Sequence, residues 1–80
     1  MATHQQVRFM QTRQPFRPFA VRLNSGRSFE IRLPENISCS LDGREIVIHD
    51  AEGMHLIEAM HAEVLEPVEK PATTTEGNGD

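Results

Sequence analysis

The chain has no tryptophan, no tyrosine and a single cysteine, Cys39, and its only aromatic side chains are four phenylalanines. One cysteine excludes an internal disulfide, so burial must hold the fold together, and a reducing compartment is the expected setting. No apolar run approaches the roughly 18 to 20 residues that span a bilayer, and Met1 to Gln14 lacks the continuous apolar stretch of a secretory signal. A cytoplasmic protein is therefore expected. Catalytic templates are missing as well. There is no Gly-x-Ser-x-Gly elbow, Walker loop or Gly-x-Gly-x-x-Gly, and Ser25, Ser28, Ser38 and Ser40 stand in turns or strands without a matched histidine and acid. Glu58 and Glu63 are candidates only as any solvated carboxylate is. The expectation is a protein that is not an enzyme and carries no cofactor.

What is present is a set of turns. Asn24-Ser25-Gly26 and Ala51-Glu52-Gly53 fit three-residue hairpin loops ending in a left-handed glycine, and Asp42-Gly43 fits a two-residue turn. Each turn implies a register. The first pairs Val21 with Phe29 and Phe19 with Ile31, leaving Arg22, Ser28, Ala20 and Glu30 on the other face. The second pairs Leu41 with Arg44, Cys39 with Ile46 and Ile37 with Ile48. The third pairs Asp50 with Met54, so that Ile48 meets Leu56 inside while His49 meets His55 and Val47 meets Ile57 outside. Three turns that agree on one apolar face are the consistency expected of a real fold.

Upstream, Thr3-His4-Gln5-Gln6 fits a capping box, and Val7 and Met10 follow with helical spacing. Pro15 disfavours helical geometry at Gln14, so the helix is about three turns long and must pack on the sheet. Pro15-Phe16-Arg17-Pro18-Phe19 is a stiff extended entry in which Phe16 and Phe19 anchor one end of the core. Strands are expected at 19–24, 27–33, 36–41, 44–50 and 54–58, then a helical turn at Ala59-Met60-His61 and a last strand at 62–66. The predicted core is Phe19, Val21, Leu23, Phe29, Ile31, Leu33, Ile37, Cys39, Ile46, Ile48, Leu56 and Val64. Residues 68–80 have no aromatic or large aliphatic residue beyond Val68, and such a segment cannot offset its ordering entropy, so a single domain over 1–67 with a disordered tail is expected.

Net charge is −4, which argues against indiscriminate nucleic-acid binding, but residues 1–44 carry seven arginines against three acids and residues 45–80 one lysine against nine. A basic end and an acidic end can steer a partner or arrange copies head to tail. The predicted third hairpin places His49 opposite His55, a weak candidate for shared metal, with His61 a turn away. No third ligand motif accompanies them. Val47 and Ile57, predicted outward, form an apolar pair on an otherwise polar face, which either the helix or another molecule should cover.

Phe19-Ala-Val-Arg-Leu-Asn-Ser-Gly-Arg-Ser-Phe-Glu-Ile31, with the proline-phenylalanine entry before it, resembles an uncharacterised family of small bacterial proteins. That family shares a Pro-Phe-x-Pro-Phe, Asp/Ser-Gly-Arg and Asp/Glu-Gly-x-His pattern over residues 7–66. The architecture also resembles the SH3-like small barrels of the Sm and Hfq-like group, which run helix, five bent strands and a short helical turn before the last strand. That likeness implies a mainly β fold: a short N-terminal helix, then a five-stranded antiparallel barrel. Ile57-Glu58-Ala59-Met60-His61-Ala62 lies where the Hfq-like group carries an aromatic-Lys-His RNA motif; here only His61 matches and the lysine is absent. An arginine rim of Arg8, Arg13, Arg17 and Arg22 remains for phosphate contact. The expected function is a non-catalytic protein-interaction or scaffold module, self-associating or binding a protein partner through Val47, Ile57, His49 and His55. The alternative is an Sm-like RNA-binding ring. Neither a membrane nor a small-molecule substrate is implied.

Overall fold

The predicted capping box forms. In the computed structural model, which describes residues 3–68, the Gln6 N–H donates to Thr3 Oγ1 at 3.2 Å and the Thr3 N–H donates to Gln6 Oε1 at 2.8 Å. Helix α1 runs His4–Thr12 behind it. Val7 is fully buried and Met10 packs beside it, so the helix closes one side of the core. Gln11 fixes the docking: its amide Nε2 donates to the Pro34 carbonyl at 2.9 Å and to the Ile37 carbonyl at 2.6 Å. Phe16 then packs edge-on against Phe19, with ring centroids 6.1 Å apart, as the anchoring role requires.

Six strands follow: β1 (Phe19–Leu23), β2 (Ser28–Ile31), β3 (Ile37–Cys39), β4 (Glu45–Asp50), β5 (Gly53–Glu58) and β6 (Ala62–Pro67). They form two three-stranded antiparallel sheets, in the orders β2-β1-β6 and β3-β4-β5. This corrects the expected five-stranded SH3-like or Sm-like barrel. Two features account for the difference. Strand β2 stops at Ile31, and the chain turns through a 3-10 segment at Pro34–Asn36, where the Leu33 N–H donates to Asn36 Oδ1 at 3.0 Å, before β3 starts in the other sheet. Strand β6 pairs with β1 along its whole length, so it is a full sheet member. A second 3-10 turn, Ala59–His61, links β5 to β6 at the predicted place.

The first two registers are those the turns imply: Val21 faces Phe29, Phe19 faces Ile31, Cys39 faces Ile46 and Ile37 faces Ile48. The first loop has its left-handed glycine, Gly26 at φ +97°, with the Gly26 N–H donating to the Leu23 carbonyl at 2.9 Å. The second turn is wider than expected. The Ser40 N–H donates to the Glu45 carbonyl at 2.9 Å and the Gly43 N–H to the Ser40 carbonyl at 3.0 Å, so Leu41 and Arg44 lie in the loop instead of facing each other.

The third register is one residue off the expectation. Asp50 pairs with Gly53, His49 with Met54, Ile48 with His55, Val47 with Leu56 and Ile46 with Ile57. The loop holds two residues, closed by the Asp50 carboxylate, which accepts from the Glu52 N–H at 2.9 Å. A one-residue slip moves every side chain to the other face. Ile57 is therefore core at 7 % exposure and Leu56 is outside at 64 %. Strand β6 corrects the prediction in a related way: an irregularity between Arg22 and Leu23 lets Glu63 go unpaired, which turns Ala62 and Leu65 inward and leaves Val64 opposite Arg22 on the outer face. Leu33, beyond the end of β2, is 51 % exposed instead of core.

The core thus lies between the two sheets, with Phe19, Val21, Phe29 and Ile31 from one, Ile37, Ile46, Ile48 and Ile57 from the other, and Val7, Ala59 and Ala62 at its margins. Of the expected tail, residues 69–80 fall outside the described residues. Val68 is described, partly buried, and its N–H donates to the Pro18 carbonyl at 3.2 Å.

Two stability outcomes follow from this packing. Phe29→Ala should cost roughly 3 to 5 kcal/mol in denaturant titration, and a loss below about 1 kcal/mol would contradict its place between the sheets. Gly43 has φ +76° and a Cβ there would run into the His4 ring, whereas Gly26 has open space around it. Alanine at either position meets a left-handed backbone cost of about 1 to 2 kcal/mol, and Gly43→Ala should cost more than Gly26→Ala because His4 must also move. Adding His4→Ala should remove that excess, and equal costs in both backgrounds would disprove the contact.

Candidate interaction face

The slipped register decides what the sheet β3-β4-β5 shows to the outside. Strand residues alternate between faces, and with Ile46, Ile48 and Ile57 inward, the outer rungs are Glu45 with Glu58, then Ser38, Val47 and Leu56 across all three strands, then His49 with Met54. Val47 is partly buried, while Leu56 is 64 % and Met54 66 % exposed. Helix α1 does not cover this apolar rung, because it packs on β3 and the Pro34–Asn36 turn and sends Val7 into the core on the opposite side. The predicted outward pair Val47 and Ile57 is therefore replaced by Val47 and Leu56. Met54 is an outer apolar residue that sequence reasoning passed over; Met54 and Leu56 at i and i+2 were the available signal.

The same slip separates the two histidines predicted to share a metal. His49 faces outward opposite Met54, and His55 faces the core side opposite Ile48. His55 instead lies against the Phe29 ring, with centroids 4.9 Å apart, and its Nε2 is 3.0 Å from Asp50 Oδ1. The Arg27 guanidinium carbon lies 4.6 Å from the centroid of the Phe29 ring, so a cation, an aromatic ring and an imidazole join the hairpin tips of the two sheets. Glu52 completes a group with Asp50 and His55 whose donor atoms all lie within 4.8 Å of one another. Two carboxylates and an imidazole are competent oxygen and nitrogen donors for a divalent cation, and Asp50 already serves the Glu52 N–H and His55. His61 is elsewhere, 4.0 Å from Glu58.

The arginine set is spread out. Arg8 is on α1, Arg13 follows it with its guanidinium carbon 5.9 Å from the Phe9 ring centroid, Arg17 lies in the exposed entry segment, and Arg22 sits on the outer face of β2-β1-β6, paired with Glu66 at 3.2 Å. Arg8 also bears on Cys39: burial pushes that thiol above its ordinary value and the Arg8 charge opposes this only in part, which leaves the sulfur a protonated, partly buried packing group. Between α1 and β6 runs an open groove of about 700 Å³, lined by Phe9, Met10, Val64 and Leu65 among others. No helix among the described residues is long and apolar enough to cross a membrane.

Comparison with protein-family models, curated proteins and solved structures finds no match to this chain.

The Asp50 carboxyl gives a pH test of the loop that sets the register. Partial desolvation pushes its pKa up, but the Glu52 N–H, the His55 hydrogen bond and the His55 charge together outweigh it and hold the pKa below the ordinary 3.8. A lowered folded-state value stabilises the fold above the unfolded-state pKa and loses that contribution as pH falls through the folded one. Asp50→Asn should therefore lower the thermal midpoint at pH 7, and the gap to wild type should narrow below about pH 3. An unchanged gap from pH 7 to pH 2.5 would show that the charge plays no part.

Proposed function

We propose that the chain is a non-catalytic protein-interaction module whose contact surface is the outer face of the sheet β3-β4-β5. The observation that carries this reading is the exposed Val47–Leu56 rung, extended by Met54, on a face directed away from the core and left uncovered by α1. Leaving such a rung in water forgoes burial worth about 25 cal/mol per Å² of apolar surface. An exposed apolar patch rimmed by polar groups marks an interaction site. The rim here is Glu45, Glu58, His49 and Ser38. The two histidines predicted for the surface now divide: His49 stays on it, and His55 supports it from the core side through Asp50.

The arginine-rim reading, an oligomeric RNA-binding ring, has less in its favour. Arg22 is already paired with Glu66, and the chain as a whole carries a net charge of −4. Both readings meet one experiment. A photo-crosslinking amino acid replaces Leu56, Ser28 or Arg17 in turn, and adducts are collected from living cells. Protein adducts at position 56, with none at position 28 on the outer face of the other sheet, are the expected result. RNA adducts at position 17 with none at 56 would favour the ring instead, and an empty result at 56 would remove the interaction face.

A further inference from the structure

The rung beside Val47 and Leu56 is unfavourable as it stands. Glu45 and Glu58 are direct cross-strand partners on the outer face, and like charges in that position repel. Among the described residues Glu58 has only His61 at 4.0 Å, and Glu45 makes no ion pair. The complement of this face is therefore an apolar group with a cation next to it.

Helix α1 displays that combination. Phe9 is 65 % exposed, and the Arg13 guanidinium lies 5.9 Å from its ring centroid. Phe9 is two residues from Val7, nearly half a turn around the helix, so burial of Val7 directs Phe9 outward. No acid precedes Glu30 in the chain, so α1 and the entry segment carry Arg8, Arg13 and Arg17 with no acid of their own. The one acid lining the groove beside Phe9 is Glu63, on its β6 wall. Arginine and aromatic side chains are the residues that most often dominate a protein interface. Within one copy the start of α1, Thr3 and His4, lines a groove with Glu45 and Glu58, whereas Phe9 lines the separate groove against β6. Residues 69–80 carry no aromatic or large aliphatic side chain.

We infer that the chain binds a second copy of itself head to tail, with Phe9 and Arg13 of one copy on the Val47, Leu56, Glu45 and Glu58 face of the next. The inference rests on the interaction face proposed above and names its partner. A contact between two different surfaces leaves one of each unsatisfied at the ends, so copies add until a ring closes or a chain runs on.

Mixing two variants in sedimentation velocity tests it. Phe9→Ala/Arg13→Ala removes one surface and Leu56→Thr/Glu58→Gln the other, all at exposed or half-exposed positions, and thermal midpoints near wild type confirm that both fold. Wild type should gain mass with concentration up to about 1 mM, and more so at low salt. Each variant alone should remain monomeric. Their equimolar mixture should form a one-to-one complex and nothing larger, because each supplies the surface the other lacks. Wild type that stays monomeric throughout, or a mixture that stays two monomers, would overturn the inference. Crosslinks from position 56 to a different protein, together with a monomeric wild type, would retain the interaction face and eliminate the second copy as its occupant.

Discussion

The placement of one carboxylate governs which half of β5 is hidden. Asp50 accepts the Glu52 N–H and meets His55 Nε2, and this closes the β4-β5 connection with two residues in the loop. Had the loop held three, Leu56 would point inward and Ile57 outward, and both the core and the exposed face would exchange members. The selected arrangement puts a β-branched isoleucine opposite Ile46 inside, where it is 7 % exposed. It also sets His55 against Phe29, so the turn that fixes the register belongs to the contact that joins the two sheets.

The two sheets depend on each other because neither has a sufficient core alone. Three strands of three to six residues bury little by themselves. Facing one another, they enclose a continuous apolar layer, and α1 seals it with Val7. The seal is polar as well as apolar. Gln11 satisfies the Pro34 and Ile37 carbonyls where the chain crosses between sheets, a place where irregular backbone leaves acceptors without ladder partners.

Where a turn residue and the apolar alternation agreed, the residues specified the fold. Asn24-Ser25-Gly26 between Val21 and Phe29, and Asp42-Gly43 between Cys39 and Ile46, allowed one burial pattern each, and both registers are present. The strands whose parity differs from the expected one are those with adjacent apolar residues. Leu56-Ile57 in β5 and Val64-Leu65 in β6 permit either member to be inside, so composition could not choose between them. The choice was made by a side-chain hydrogen bond at Asp50 and by a local irregularity at Arg22 and Leu23, neither of which leaves a periodic trace. A strand break near Leu33-Pro34 was readable, but the division into two sheets was not, because it depends on β6 pairing with β1 across most of the chain. At the candidate site, Val47 and the outward His49 were readable, whereas the partners of Ile57 and His55 changed with the slip.

The pairing of β1 with β6 also imposes an order of events on the chain. The β1-β2, β3-β4 and β4-β5 hairpins join neighbours in sequence and need only short loops to close. The β1-β6 ladder joins opposite ends of the strand region, so its loop-closure entropy is largest and its contacts are the least local. During synthesis from the N-terminus, β1 must wait with one edge unpaired until Ala62–Pro67 has left the ribosome, although the second sheet can already be complete. For that interval the nascent chain offers a strand edge, Phe19–Leu23, that the finished protein conceals in the middle of a sheet.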